Sequence, residues 1–157
     1  MALAGSPALF NTENPMNVKD DHYIALQGIA TEGMHIRPSD VRKQIQNGHI
    51  SQSKYLATCC AMLANTAYES VKDANDQSPE FEFFRHVRNA SSHSNKFIFN
   101  NDEPRLAAKW RNLKLDENQK GKANPLHAAR CFGQYLGISD ILRLLWDIEQ
   151  KLIKSNI

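Results

Sequence analysis

Arg88, Asn89 and His93 fall within one short stretch of the run Phe83-Phe84-Arg85-His86-Val87-Arg88-Asn89-Ala90-Ser91-Ser92-His93-Ser94-Asn95-Lys96. An arginine guanidinium presents a rigid fork of donors that matches a pair of phosphate oxygens. A histidine can take up or release a proton near neutral pH. Asn89 is an amide able to orient either one. The chemistry these types suit is proton transfer beside a phosphate. An apolar run from Phe81 to Val87 leads in, and Ser, Asn and Lys lead out. This reads as a buried helix whose C-terminal half reaches a polar cleft.

Successive residues turn 100° on an α-helix, so Asn89 and His93 share a face. His86 lies seven residues before His93, on the same stripe. Phe83, Val87 and Ala90 form a separate apolar stripe suited to a core. Arg88 and His93 are about 140° apart on an ideal helix. One regular helix therefore does not let both grip one phosphate. Either the helix breaks near Ser91-Ser92, or a second copy of the motif completes the site on the axis of a two-fold dimer.

Arg88-Asn89-x-x-x-His93 resembles the Arg-polar-x-x-x-His motif of the HEPN superfamily (higher eukaryotes and prokaryotes nucleotide-binding domains). Phe97-Ile98-Phe99, Pro104, Trp110-Arg111 and Asp147-Ile148-Glu149 follow in order. They resemble the downstream pieces of one branch of small bacterial HEPN proteins, some of them plasmid-borne. The likeness spans roughly residues 50 to 153. Ser92 departs from it, since a small apolar residue often precedes the histidine in that family.

The resemblance implies an all-α fold: an up-and-down bundle of about four to five helices with a small loop or β-hairpin insertion. It implies an endoribonuclease that needs neither metal nor cofactor. Two chains pair so that their motif helices face each other across a basic cleft. His93 acts as base toward the ribose 2′-hydroxyl or as acid toward the leaving 5′-oxygen, and Arg88 holds the phosphate. Asn89 orients His93 or the phosphate, with His86 and Ser92 as supporting neighbours and Lys96 and Arg111 contacting RNA. The products carry a cyclic phosphate at the 3′ end. The role implied is a toxin, with an antitoxin protein as partner, or a phage-defence effector. The alternative is a catalytically inactive HEPN module that binds RNA, a nucleotide or a protein. A third reading makes the Arg-His pair a packing feature of a helical scaffold.

Composition fits that frame. The chain has 157 residues, 41% hydrophobic and 23% charged, ordinary values for a globular protein. Its net charge of +2 does not by itself point to nucleic acid. Positive charge is concentrated after the motif, where residues 96–122 carry seven Lys and Arg against four Asp and Glu. Cys59, Cys60 and Cys131 form neither a disulfide framework nor a zinc spacing, which suggests a reducing, cytoplasmic setting. His22, His35, His49 and His127 have no partner at metal-ligand spacing. No secretory leader or membrane-spanning run is visible, so no membrane partner is expected.

The elements that must position the motif are read from periodicity and punctuation. Residues 1–15, with Gly5, Pro7 and Pro15, read as a flexible arm, and 16–157 as a single helical domain. A first helix is expected over Asn17–Thr31, with Tyr23, Ile24 and Ala30 inward. A short helix follows Pro38-Ser39-Asp40 with Ser39 as N-cap, and Asn47-Gly48 stops it. The clearest helix runs from about Ser51 or Ser53 to Asp73, with Leu56, Cys59, Leu63, Thr66, Ala67 and Ser70 recurring three or four apart. Its small residues Ala57, Ala61, Ala64 and Ala67 allow close approach of the motif helix. That helix starts at Ser78-Pro79-Glu80. Leu113-Lys114-Leu115 alternates like a strand, and Trp110 reads as a core anchor or as a platform for a base. A last helix starts near Ile138, with Ile141, Leu144, Leu145, Ile148 and Leu152 as its apolar stripe and Arg143–Asp147 as a surface pair.

Overall fold

The computed structural model describes residues 23–155. The expected N-terminal arm and the beginning of the expected first helix lie outside that range. The chain divides at the Leu56/Ala57 junction into two compact units.

In the first unit, the described part of the expected helix enters a hairpin instead. Strand β1 (Ile24–Leu26) pairs antiparallel with β2 (Met34–Ile36), Ile24 opposite Ile36 and Leu26 opposite Met34. The alternation Ile24-x-Leu26 and Met34-x-Ile36 is a strand period. Gly28, Thr31 and Gly33 between the pairs weaken a helix. Helix α1 (Pro38–Gln46) follows. Its N-cap is Arg37 rather than Ser39, which puts Pro38 in the first turn, where its missing N–H costs nothing. Asn47 caps the other end, and Gly48 takes a φ of +73°.

The second unit holds the motif. Helix α2 (Gln52–Val71) begins in the first unit and runs into it. Its buried residues are Cys60, Ala64 and Tyr68, four apart, so the inward stripe sits one position beyond the one read from Cys59 and Leu63. Thr66 and Ser70 face solvent. Helix α3 (Pro79–Ser92) carries the motif. Ser78 caps it by accepting a hydrogen bond from the Phe81 N–H at 3.5 Å, and Glu80 and Glu82 sit in its first turn. Both features favour the positive end of the helix dipole. Phe81, Phe83, Phe84, Val87 and Ala90 are fully buried. Tyr68 of α2 meets Phe84 edge-on, ring centroids 5.3 Å apart, a favourable arrangement for two rings.

Residues 97–137 cross the core without a long helix. Phe97 and Phe99 stack nearly parallel, their centroids 6.0 Å apart. Strand β3 (Ala108–Trp110) pairs with β4 (Leu113–Leu115) and packs on α3. Arg111 turns the hairpin with a φ of +53°. Trp110 is buried and donates its indole N–H to Asp147 Oδ2 at 2.9 Å. It is the core anchor, with no face open to a base. Helix α4 (Ile138–Ser155) closes the unit with Ile141, Leu144 and Ile148 buried.

The expected all-α bundle is therefore corrected. The described residues form four α-helices and two small antiparallel sheets, a mixed architecture. Large aromatics in the extended 97–137 segment fill space that a further helix would occupy in a plain bundle. Among the described residues, no helix is long and apolar enough to cross a membrane.

Candidate functional site

Helix α3 ends at Ser92, and His93 is its C-cap with φ −106° and ψ 50°. The next two residues, Ser94 and Asn95, both take positive φ, 55° and 64°. Asparagine tolerates that region better than most residues. A helix cannot continue through such a pair, so it ends here, after both serines. The Asn95 side chain fixes the new direction. It donates to the Phe132 carbonyl at 2.9 Å and accepts from the Phe132 N–H at 2.7 Å. The Cys131 N–H bonds to the Asn95 carbonyl at 2.9 Å. His93 and Ser94 are left exposed at this corner, and Lys96 follows, also exposed.

Arg88 lies on the last turns of α3 with a third of its side chain exposed. One terminal nitrogen, Nη2, bonds to Glu69 Oε1 of α2 at 2.5 Å, and Nη1 reaches Asn89 Oδ1 at 3.3 Å. Its guanidinium carbon stands 5.8 Å from the Tyr68 ring centre. Its Nε is buried and has no hydrogen-bond partner. Ser92 donates to Asn65 Oδ1 at 2.9 Å, tying the end of α3 to α2. Arg88, Asn89, Ser92 and His93 thus gather at the C-terminal end of one helix, with α2 alongside.

His86 does not join them. It is 1% exposed, its ring 5.4 Å from Phe99. The azimuth is the one shared with His93, but two turns back the 97–99 segment covers it. Its Nε2 accepts from the Arg85 guanidinium at 3.0 Å. Burial, with Arg85 adding to it, lowers its pKa to about 4. An unfolded histidine takes a proton near pH 6.5, whereas the folded one refuses it until about 4. The folded state therefore has this contribution in full above 6.5 and loses it as pH falls toward 4, about 3 kcal/mol over the window. Thermal melts across that range are expected to show the decline, and His86→Gln to flatten it. A wild-type melting temperature that stays level from 6.5 to 4 contradicts this account.

A network around Arg85 goes beyond the residues singled out above. This side chain bonds to Glu82 Oε2 at 2.9 Å and Glu103 Oε1 at 3.2 Å, besides His86. Glu82 and Glu103 are both buried. Burial alone disfavours a charged Glu103, but the Asn100 N–H and Arg85 outweigh it and hold the carboxyl below its usual range. A glutamate set among three phenylalanines, Phe81, Phe83 and Phe84, was the one available signal.

Arg111 is exposed but already paired. Its guanidinium grips Asp147 through Nε at 3.0 Å and Nη2 at 3.0 and 3.3 Å, and lies 5.0 Å from the Trp110 ring centre. Asp147 pairs there rather than with Arg143. Two more cations of the basic segment are engaged: Arg105 binds Asp102 at 2.6 Å, and Lys120 donates to the Pro104 carbonyl.

No family model, no characterised protein and no solved structure matches this chain.

Proposed function

We propose that the protein is a metal-independent endoribonuclease of the HEPN kind, acting through Arg88 and His93. The observation that carries the reading is the termination of α3 at Ser92. It delivers an exposed His93 from the same helix end that holds a part-exposed Arg88. The His93 N–H still bonds to the Asn89 carbonyl at 3.1 Å, so the separation of about 140° holds within one chain and a second copy of the motif is needed to complete the site. His93 takes the proton of a ribose 2′-hydroxyl or supplies one to the departing 5′-oxygen. The 2′-oxygen attacks the adjacent phosphorus and the P–O5′ bond breaks, leaving a cyclic phosphate and a free 5′-hydroxyl. Arg88 steadies the charge that grows on the phosphate oxygens. Asn89 holds the guanidinium, and Lys96 extends the positive surface along the strand. A two-fold pair of chains supplies that copy. In a cell such cutting would serve a toxin restrained by an antitoxin, or a phage-defence effector.

The test is labelled single-stranded RNA incubated with the protein in EDTA. Cleavage with cyclic-phosphate ends is expected, and the matching DNA stays intact. No cutting of any RNA, or equal cutting of DNA, rejects the mechanism. A single monomer mass at micromolar concentration rejects the paired arrangement and the shared site with it.

A second reading, a catalytically silent module that binds RNA, a nucleotide or a protein, is favoured by one observation. The Arg88 fork is already occupied by Glu69. Binding of RNA without cutting would establish it.

A further inference from the structure

Arg88 can offer a phosphate two edges of its fork. The Nε edge is buried. The other edge is formed by the two terminal nitrogens, with Glu69 on Nη2 at 2.5 Å and Asn89 on Nη1 at 3.3 Å. The second carboxylate oxygen of Glu69 accepts from Lys72 Nζ at 2.8 Å. One carboxylate thus bridges an arginine and a lysine, which is the place a phosphate group would take.

We propose that Glu69 is a resident anion in a phosphodiester site made by Arg88 and Lys72, and that RNA enters only by displacing it. This rests on reading Arg88 as the phosphate-holding group. The two sides of the contact are not equally fixed. Arg88 is backed by the Tyr68 ring and tied to Asn89, so it keeps its place when the carboxylate leaves. Glu69 is 42% exposed near the end of α2 and can swing into water. An ion pair so open to solvent is weak, so displacement is easy for a polyanion and hard for a lone weak anion. Lys72 first, then Arg88, holds the Glu69 carboxyl below its usual range, which keeps it charged at neutral pH. The occupant therefore sets a threshold on affinity at all physiological pH values.

The probe is a short fluorescent 2′-O-methyl RNA, whose blocked 2′-oxygen prevents cutting. Its binding is followed by anisotropy at low salt for wild type, Glu69→Gln, Arg88→Ala and the double variant, with thermal melts alongside. Glu69→Gln is expected to bind about fivefold tighter than wild type, the size suited to losing one exposed ion pair. In the Arg88→Ala background the same change is expected to give no gain. Glu69→Ala provides the same comparison if the glutamine variant melts early. Equal or weaker binding by both Glu69 variants overturns the proposal. So does an equal gain without Arg88, which would be a general effect of charge, and so does a failure of every variant to bind. A gain that depends on Arg88, in a protein that cuts no RNA, upholds the anion site and rejects the nuclease. Cutting by a protein whose Glu69 variants bind no tighter does the reverse.

Discussion

Arg85→Met is expected to destabilise the protein by about 3–5 kcal/mol, the cost typical of removing one member of a buried ion network. Arg85 bonds to Glu82, Glu103 and His86, and three-quarters of its side chain is covered. Without it, two buried carboxylates lose the cation they bond to. Each keeps one other donor, Asn75 at 3.4 Å for Glu82 and the Asn100 N–H at 3.0 Å for Glu103. Those neutral donors do not offset desolvation of two negative charges. Urea unfolding at pH 7 measures the loss. Neutralising the partners as well, in Glu82→Gln/Arg85→Met/Glu103→Gln, is expected to restore most of it, because the penalty comes from uncompensated charge rather than lost packing. A loss below about 1 kcal/mol for Arg85→Met alone would mean that water reaches the cluster freely.

His93→Ala is expected to lower the RNA cleavage rate by about 10²–10⁴-fold, the range for a positioned proton-transfer group. Arg88→Ala is expected to cost about 10²–10³-fold, as for a lost donor to developing negative charge. The two differ in their structural side effects. His93 is an exposed cap, so its removal should leave the melting temperature nearly unchanged. Arg88 rests on Tyr68 and pairs with Glu69, so its removal should lower that temperature slightly. A His93→Ala protein that cuts at more than half the wild-type rate removes His93 from the chemistry.

The motif helix was legible because its signals are local. Ser78, Pro79 and Glu80 mark the start, the phenylalanines mark the buried face, and Ser91-Ser92 precede the stop. The β3–β4 hairpin was half visible in the alternation of Leu113 and Leu115. Partners far apart in sequence were not legible. Glu69 meets Arg88 across 19 positions, Arg85 meets Glu103 across 18, and Arg111 meets Asp147 across 36. No periodicity encodes which acid an arginine will find. Asp147 therefore read as the partner of Arg143, four residues away, when a more distant guanidinium and the Trp110 indole take it. The β1–β2 hairpin was missed for another reason. Its three-residue strands are shorter than a helical window, and Tyr23, Ile24 and Ala30 satisfy a loose helical spacing as well.

The Asn95–Phe132 clasp has a bearing on when the site comes into being. Helix α3 has its own cap and its own apolar face, so it can begin to form early. The corner that carries His93 waits for a segment 37 residues later. Closing a loop of that length costs chain entropy before any contact repays it, so the clasp belongs to the late steps of folding. A nascent chain whose ribosome has reached Lys96 holds every residue of the Arg-Asn-x-x-x-His run but not the clasp that fixes the corner after it. Synthesis must proceed past Phe132 before the clasp can close, so the corner at His93 is completed only late in the making of the chain.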